Sequence, residues 1–226
     1  MSDSQELDDF KGICRLFPLG GVVMFPHSVL PLHIFEPRYR QMMRDALDDD
    51  QFIAIANLAA EGGVNEDGEP ELAPVACLGR VVQHQEMPDG RFSLLLQGVK
   101  RVRLVSEIDD PDKLYRQARV ELLNDLEEDS PSNTQRHEHL LDLFRDLFPP
   151  GHSAGRELLE LLESDLSLGA VTDIVSHALN FPPPVKQALL EEVDVARRAD
   201  QLIKLIRPLA PQRPRWPVFP PPPSMN

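Results

Sequence analysis

The apolar residues of this chain change period once, and a fold must satisfy both regimes. Upstream of Asp125–Pro131 (DLEEDSP) they come in short runs bounded by Pro or Gly; downstream they recur every three or four residues. Bounded runs suit strands, and the three-to-four spacing suits amphipathic helices. The upstream runs are Gly12–Leu19, Val22–Phe25, Val29–Phe35, Phe52–Leu58, Val75–Met87, Phe92–Leu96, Val99–Ile108 and Leu114–Leu123. Pro31 confines its run to a sheet edge or a bulge, because proline cannot donate to a ladder. Val99–Ile108 alternates apolar and basic residues, which predicts a half-exposed strand. Pro88-Asp89-Gly90-Arg91 reads as a hairpin turn in which Gly90 takes positive φ. Residues 59–73, rich in Glu, Asp and Gly, read as a mobile surface loop. One helix interrupts the strands. Pro37 suits its first position, Tyr39, Met42, Met43, Ala46 and Leu47 form its stripe, and Asp48, Asp49 and Asp50 oppose the dipole at its end. Many short strands with little intervening helix suggest a barrel or a rolled sheet.

Downstream, five stripes follow. Leu140, Leu143, Phe144, Leu147 and Phe148 mark the first, and Leu158, Leu159, Leu161 and Leu162 the second. Val171, Ile174, Val175, Ala178 and Leu179 mark the third, and Val185–Glu192 is a short fourth helix after Phe181-Pro182-Pro183-Pro184. Val195, Ala199, Leu202, Ile203 and Ile206 mark the fifth, with Asp194 as its cap. Short connections favour a compact antiparallel bundle. From Pro208 the chain holds eight of its 22 prolines and no acid. That tail is either a loose end or an extended, polyproline-like segment docked through Trp216 and Phe219.

Charge narrows the partners. Lys plus Arg total 23 and Asp plus Glu 37, a formal net charge of −14. Phosphate backbones and anionic membrane surfaces are disfavoured by such an excess. No run of 18 apolar residues is present to span a bilayer. The first ten residues carry four acids and no base, unlike a secretory signal, which predicts a cytoplasmic chain. Cys14 and Cys77 stand in apolar segments without a CxxC pattern, so buried reduced thiols are expected rather than a zinc site.

Catalytic motifs are sparse. Gly151-His152-Ser153-Ala154-Gly155 matches the nucleophile elbow, which works where a strand enters a strained turn and a helix leaves it. Here a helical stripe and two prolines precede it, so an interhelical loop with Ser153 as a cap is the simpler reading. No phosphate-cradling loop and no H-E-x-x-H string occurs. His137 and His139 are two apart, on different faces of a helix, while His27, His33 and His84 are isolated. Lys100, Arg101, Arg103, Arg116 and Arg119 form a positive patch for RNA or pair with the excess carboxylates. No catalytic residue, metal ligand or cofactor is assigned.

Longer strings carry a resemblance. Leu16-Phe17-Pro18-Leu19, Val22–Pro26 and Leu30–Tyr39 (LPLHIFEPRY), with Gly79-Arg80-Val81 and Gly90–Arg101, resemble the amino-terminal substrate-binding domain of Lon proteases. Phe181–Leu190 and Asp194–Leu205 resemble its helical half. The resemblance implies an α+β chain: a PUA-like β-barrel (pseudo-barrel) over 11–124, an α-helical bundle over 133–207 and the proline-rich tail over 208–226. It implies a free-standing, non-proteolytic member without the family's ATPase and Ser-Lys protease domains. Ser153-Ala154-Gly155 echoes the protease string but falls among the helices, so it is not carried over. The function implied is a non-catalytic module that binds protein or peptide clients, alongside a separate protease or ATPase, with neither nucleic acid nor membrane as partner. An extended client would enter the crevice between barrel and bundle by apolar contact and edge-strand pairing. His33, Phe35, Glu36, Arg38 and Tyr39 are the candidate contacts. The competing reading makes Glu36 and Arg38 a buried pair and the Tyr39 hydroxyl a lock on the strand-to-helix corner. The alternatives are a serine hydrolase using the GHSAG string and an RNA-binding PUA-like module.

Overall fold

The computed structural model describes residues 7, 9–60, 62–65, 68–147 and 153–209. The upstream runs build one mixed six-stranded sheet: β1 (Ile13–Pro18), β2 (Val29–Ile34), β3 (Phe52–Ala56), β4 (Val75–Glu86), β5 (Phe92–Ile108) and β6 (Gln117–Leu123). Helix α1 (Pro37–Leu47) lies between β2 and β3. Five helices follow: α2 (Pro131–Leu147), α3 (Ser153–Leu162), α4 (Leu168–Ala178), α5 (Pro183–Glu191) and α6 (Val195–Ile206). The order across the sheet is β2-β5-β4-β3-β1-β6. β6 also pairs with the second half of β5, so the pairings β5-β4-β3-β1-β6-β5 close on themselves. Only β1 and β3 run parallel, and α1 provides the crossover that a parallel pair requires.

Each face of the sheet feeds an apolar cluster. One is rich in small residues, with Ala54, Ala56, Ala76 and Ala118 beside Cys14, Leu16, Phe52 and Leu78. The other runs without a break from Phe17, Phe25, Ile53 and Cys77, through Met42 and Met43 of α1, to Phe144, Val171, Leu190 and Leu202 of the later helices. Both cysteines are free and buried, and burial pushes the Cys14 thiol up to about 12. At that value the reactive thiolate is scarce.

Three local expectations hold. The hairpin turn has Gly90 at φ 77, with the Gly90 N–H donating to the Met87 carbonyl (2.8 Å). Helix α1 begins at Pro37 and stops before Asp48. Asp194 caps α6 by accepting from the Arg197 N–H (3.0 Å).

Others are corrected. Phe92–Leu96 and Val99–Ile108 are one 17-residue strand, β5, with a register shift opposite β4 at Gly79. Val99–Ile108 is not simply half-exposed, because Arg101 is buried among the apolar residues. Residues 59–73 carry two isolated bridges, Leu58 to Leu72 and Val64 to Pro70. Val22–Phe25 forms no strand; it crosses β5 at Gly98. There the His27 N–H donates to the Gly98 carbonyl (2.9 Å) and the Gly98 N–H to the Ser28 carbonyl (2.8 Å). A Cβ on Gly98 would stand 2.1 Å from the Phe25 carbonyl oxygen, so the crossing requires glycine. Phe148 and the tail beyond Leu209 lie outside the described residues.

Replacing Gly98 by Ala is expected to cost about 3 kcal/mol, at the upper end of overpacking, because backbone rather than a side-chain tip must move. A Cβ on Gly79 meets only the Leu96 side chain, so Gly79→Ala is expected to cost less. Urea midpoints at unchanged m-value measure both; a Gly98→Ala midpoint equal to wild type contradicts the close approach.

Candidate functional site

The open flank of β2 follows from its register. The Ser28 carbonyl already bonds β5, and an antiparallel ladder alternates, so Leu30, Leu32 and Ile34 direct their backbone groups to β5. Val29, Pro31 and His33 therefore direct theirs away from the sheet. The proline fits: Pro31 has no N–H and sits where β5 demands none. Val29, Pro31 and His33 are also the exposed residues of the strand. Pro31 and His33 line a cavity of about 440 Å³, bounded also by Gln83, His84, Gln85, Ser93 and Leu95 among others. Among the described residues its lining carries no Asp, Glu, Lys or Arg. His33 Nδ1 lies 3.2 Å from Ser93 Oγ, which ties the edge side chain to β5. Phe35, 61% exposed, stands just past the end of β2.

The structure separates the five sequence-derived residues. His33 lines the cavity on the sheet; Arg38 and Tyr39 line a different one of about 360 Å³ beside the loop from Ile108 to Arg116. Glu36 opens α1 with extended backbone, its carbonyl accepting from the Tyr39 and Arg40 N–H groups (3.1 and 2.9 Å). The Glu36–Arg38 pair exists (3.0 Å) but is not buried; both side chains remain more than 40% exposed. An exposed pair two residues apart contributes at most about 1 kcal/mol. Tyr39 is the buried member: its ring packs on Phe17 at 4.4 Å between centroids, with the Arg38 guanidinium 4.6 Å above it. Burial, above the opposing charge of Arg38, raises the Tyr39 hydroxyl pKa.

The seam between sheet and helices is occupied by ions rather than open. Arg101 of β5 donates to both oxygens of Asp173 on α4 (2.9 Å for the longer bond) and through Nε to the Leu190 carbonyl (2.9 Å). Arg198 of α6 donates to both oxygens of Asp125, to the Glu192 carbonyl (2.7 Å) and to Thr172 Oγ1 (2.9 Å). Arg101 also reaches Asp125 (3.3 Å), and Arg198 Nε lies 3.5 Å from Asp173. Arg101, Asp173 and Arg198 are essentially fully buried. Burial by itself would raise the Asp125 carboxyl pKa, but the Arg198 hydrogen bond and the two guanidinium charges outweigh it and hold it below the usual carboxylate range. A cavity of about 300 Å³ remains at this seam. The start of α4 already holds an anion there: Glu127 accepts from the Leu168 and Gly169 N–H groups (2.9 and 3.2 Å).

Of the two alternatives for the basic residues, Arg101, Arg103 and Arg116 take the pairing with carboxylates. Arg101 is internal, Arg116 is engaged by Glu107 and Glu69, and Arg103 approaches Glu121. The nucleophile elbow does not acquire its setting. Ser153 is the first residue of α3 and, among the described residues, the element before it is helix α2 rather than a strand; residues 148–152 lie outside the described residues. Among the described residues no cluster of His, Cys, Asp or Glu is arranged to hold a metal ion, and no helix is long and apolar enough to cross a membrane.

Sequence reasoning missed Gln83, Gln85, Ser93 and Leu95. The hairpin held the signal for the first step: counting back from Glu86 opposite Phe92 puts Gln85 opposite Ser93. That His33 also lies opposite Ser93 depends on the non-local pairing of β2 with β5.

Solved structures share this architecture. A Lon N-terminal domain protein from Xanthomonas campestris superposes with TM-score 0.61 at 22% identity, covering 85% of this chain and 97% of that one. The N-terminal domain of Mycobacterium avium complex Lon protease gives 0.66 at 15% identity, over 86% and 98%. The fold is thus that of Lon N-terminal domains. The sequence agrees: residues 13–207 match the model of the ATP-dependent protease La (LON) substrate-binding domain, and the chain belongs to that family. Lon protease 2 of Myxococcus xanthus is 27% identical over 202 residues, and Lon protease 1 of Bacillus subtilis 25% over 199, each match covering 88% of this chain. The chain spans about a quarter of the length of these relatives, 24% and 25%.

The seam makes two predictions. Asp173→Asn leaves the buried Arg101 and Arg198 to share the single carboxylate of Asp125 and is expected to cost about 3–5 kcal/mol in chemical denaturation. A loss within experimental error shows instead that the pair is dispensable. For Asp125 the folded pKa lies below the unfolded value of about 3.9, so its contribution is complete above that value and drains as pH falls through the folded one. Between about pH 5 and pH 3, wild type is expected to lose more stability than Asp125→Asn loses. Parallel pH profiles contradict that assignment.

Proposed function

We propose that this chain is a non-catalytic polypeptide-binding module, and that the open edge of β2 with its adjoining uncharged cavity receives an extended segment of a protein client. The observation that carries the reading is the conjunction at β2. By the register of β2 the His33 N–H and C=O and the Pro31 carbonyl are directed outward, and both residues line a cavity with no charged residue among those described. An added strand uses backbone hydrogen bonds common to every polypeptide, and the cavity receives alternate side chains. A recognition surface for varied unfolded clients needs that combination: little dependence on sequence and no charged group to repel either sign. The family's description as a substrate-binding domain supports the same reading.

On this reading His33 and Phe35 belong to the docking edge, while Glu36, Arg38 and Tyr39 shape the corner behind it. The crevice between sheet and helices is not the client site, since its charged groups already satisfy one another. The ring of strand pairings supports a PUA-like barrel over 11–124, and the mutual packing of α2, α4 and α6 supports a helical bundle over 133–207, with a tail over 208–226. The partners are cytoplasmic polypeptides, with a separate ATPase or protease to act on what is held. Nucleic acid and membrane are not partners of this surface, whose cavity offers no cation for phosphate.

A reduced, alkylated and therefore permanently unfolded protein tests the reading by fluorescence anisotropy. The chain is expected to bind it, and His33→Pro to weaken binding about fivefold, the worth of one net hydrogen bond. That substitution removes an outward donor and leaves the bonds to β5 intact. No binding by wild type sinks the module; binding indifferent to His33→Pro moves the client away from β2.

A further inference from the structure

A second flank of the sheet is open, on β4. That strand pairs with β5 along its length, but on its other side β3 reaches only Cys77 to Arg80. The last bond there runs from the Val81 N–H to the Gln51 carbonyl (3.0 Å). Val82 to Glu86 overhang, and all five are exposed. The ladder decides which backbone groups face outward. The Met87 N–H donates to the Arg91 carbonyl (2.8 Å), so Gln85 and Gln83, in step with it, bond toward β5. The irregularity between Val81 and Gln83 reverses the phase, which is why Val81 bonds toward β3. His84 and Glu86 therefore turn N–H and C=O to the free flank, where among the described residues no backbone group bonds to them. From Val82 to Met87 there is no proline to interrupt a ladder.

An unpaired edge is a template for another strand, and this one is complementary to itself. A two-fold axis through Gln85 sets two copies antiparallel, with His84 opposite the second copy's Glu86 and Glu86 opposite its His84. Both residues face outward, so each pairing closes two backbone bonds, and the four groups of one copy satisfy the four of the other. On one face an imidazole then meets a carboxylate; on the other the two Gln85 amides meet, donor to acceptor. Arg44 donates to Glu86 Oε1 (3.0 Å) and so orients that carboxylate along the edge. Centring the axis on Glu86 would set carboxylate on carboxylate, and centring it on His84 would forfeit the imidazole–carboxylate pairing. We propose that β4 joins a second copy of this chain edge to edge through His84, Gln85 and Glu86, giving one sheet in the order β2-β5-β4-β4-β5-β2. So short an edge falls at the low end of interface sizes, and the dimer is weak and exchanging. The axis stands perpendicular to the sheet, so both cavities beside Pro31 and His33 open on the same side. In a consequence that rests on the client reading above, one unfolded polypeptide meets two grips at once.

Cross-linking through an introduced cysteine tests the register without any client, because the native Cys14 and Cys77 are buried. The two Gln85 residues form a non-hydrogen-bonded pair, with Cα atoms about 4.5 Å apart and within reach of a disulfide. Gln85→Cys is expected to form a covalent dimer in oxidised glutathione. His84→Cys, whose two copies lie diagonally with Cα atoms more than about 7 Å apart, is expected to remain monomeric. In sedimentation equilibrium the unaltered chain is expected to gain mass as its concentration rises toward about 1 mM. His84→Glu creates two like-charge pairs per dimer and is expected to weaken association about tenfold, and His84→Glu with Glu86→His to restore it. A monomer at every concentration overturns the inference, whatever the anisotropy with an unfolded protein returns. So does cross-linking as efficient at position 84 as at 85, or a swap that fails to restore association, either of which puts the contact elsewhere.

Discussion

A guanidinium on a strand faces a carboxylate on a helix, both out of water, and the placement of the helices on the sheet depends on that couple. Each buried ion forfeits several kcal/mol of hydration, and the pair's attraction recovers it only with good geometry and every remaining donor satisfied. Here the conditions are met by doubling the arrangement. Two arginines alternate with two aspartates, and the leftover donors find the Leu190 and Glu192 carbonyls and Thr172 Oγ1. Hydrocarbon of equal volume could hold the layers together as firmly. What it would lack is direction: the planar fork of Arg101 accepts Asp173 in one orientation, and that orientation sets how α4 meets β5. With β5 paired to β4 and β6 around Arg101, the helices are committed to that part of the sheet, and the outer residues of β2 stay exposed.

Much of this was legible residue by residue, and the failures share one cause. The α1 boundaries, the Gly90 turn and the Asp194 cap were readable because each rests on contacts within a few positions. Arg101 was misread because alternation in Val99–Ile108 assigns basic residues to solvent, while its counterion stands 72 residues downstream. Asp173 gave no warning either: α4 is buried from Leu168 to Ser176, so a polar residue inside it stands out from no stripe. Val22–Phe25 looked like a strand because composition cannot show that its route crosses a glycine of β5. The string LPLHIFEPRY was conspicuous as one motif, yet its parts answer separate demands. Pro31 sits where β5 needs no donor, Pro37 starts a helix, and Tyr39 fills the space over Phe17. Contiguity in sequence made five residues look like one site; the corner sends them to different surfaces.

The energetics of an added strand decide what each part of the β2 site can contribute. Val29 and His33 offer an outward N–H and C=O each and Pro31 a carbonyl, so a client segment forms at most a handful of bonds. At about 1 kcal/mol net per bond, they are matched by the 1–2 kcal/mol needed to order each residue of an unfolded chain. The backbone edge therefore sets register and orientation with almost no net affinity. Affinity must come from side chains leaving water, about 1.5–3 kcal/mol for each large apolar one. A cavity of about 440 Å³ accommodates only a few such groups. Binding built this way is weak for any single segment and rises when an unfolded polypeptide presents many segments in turn. Under the proposed reading, a folded protein, its strands already paired and its apolar residues already covered, gains nothing there, so the physics that would make the grip promiscuous among unfolded chains would also exclude folded ones.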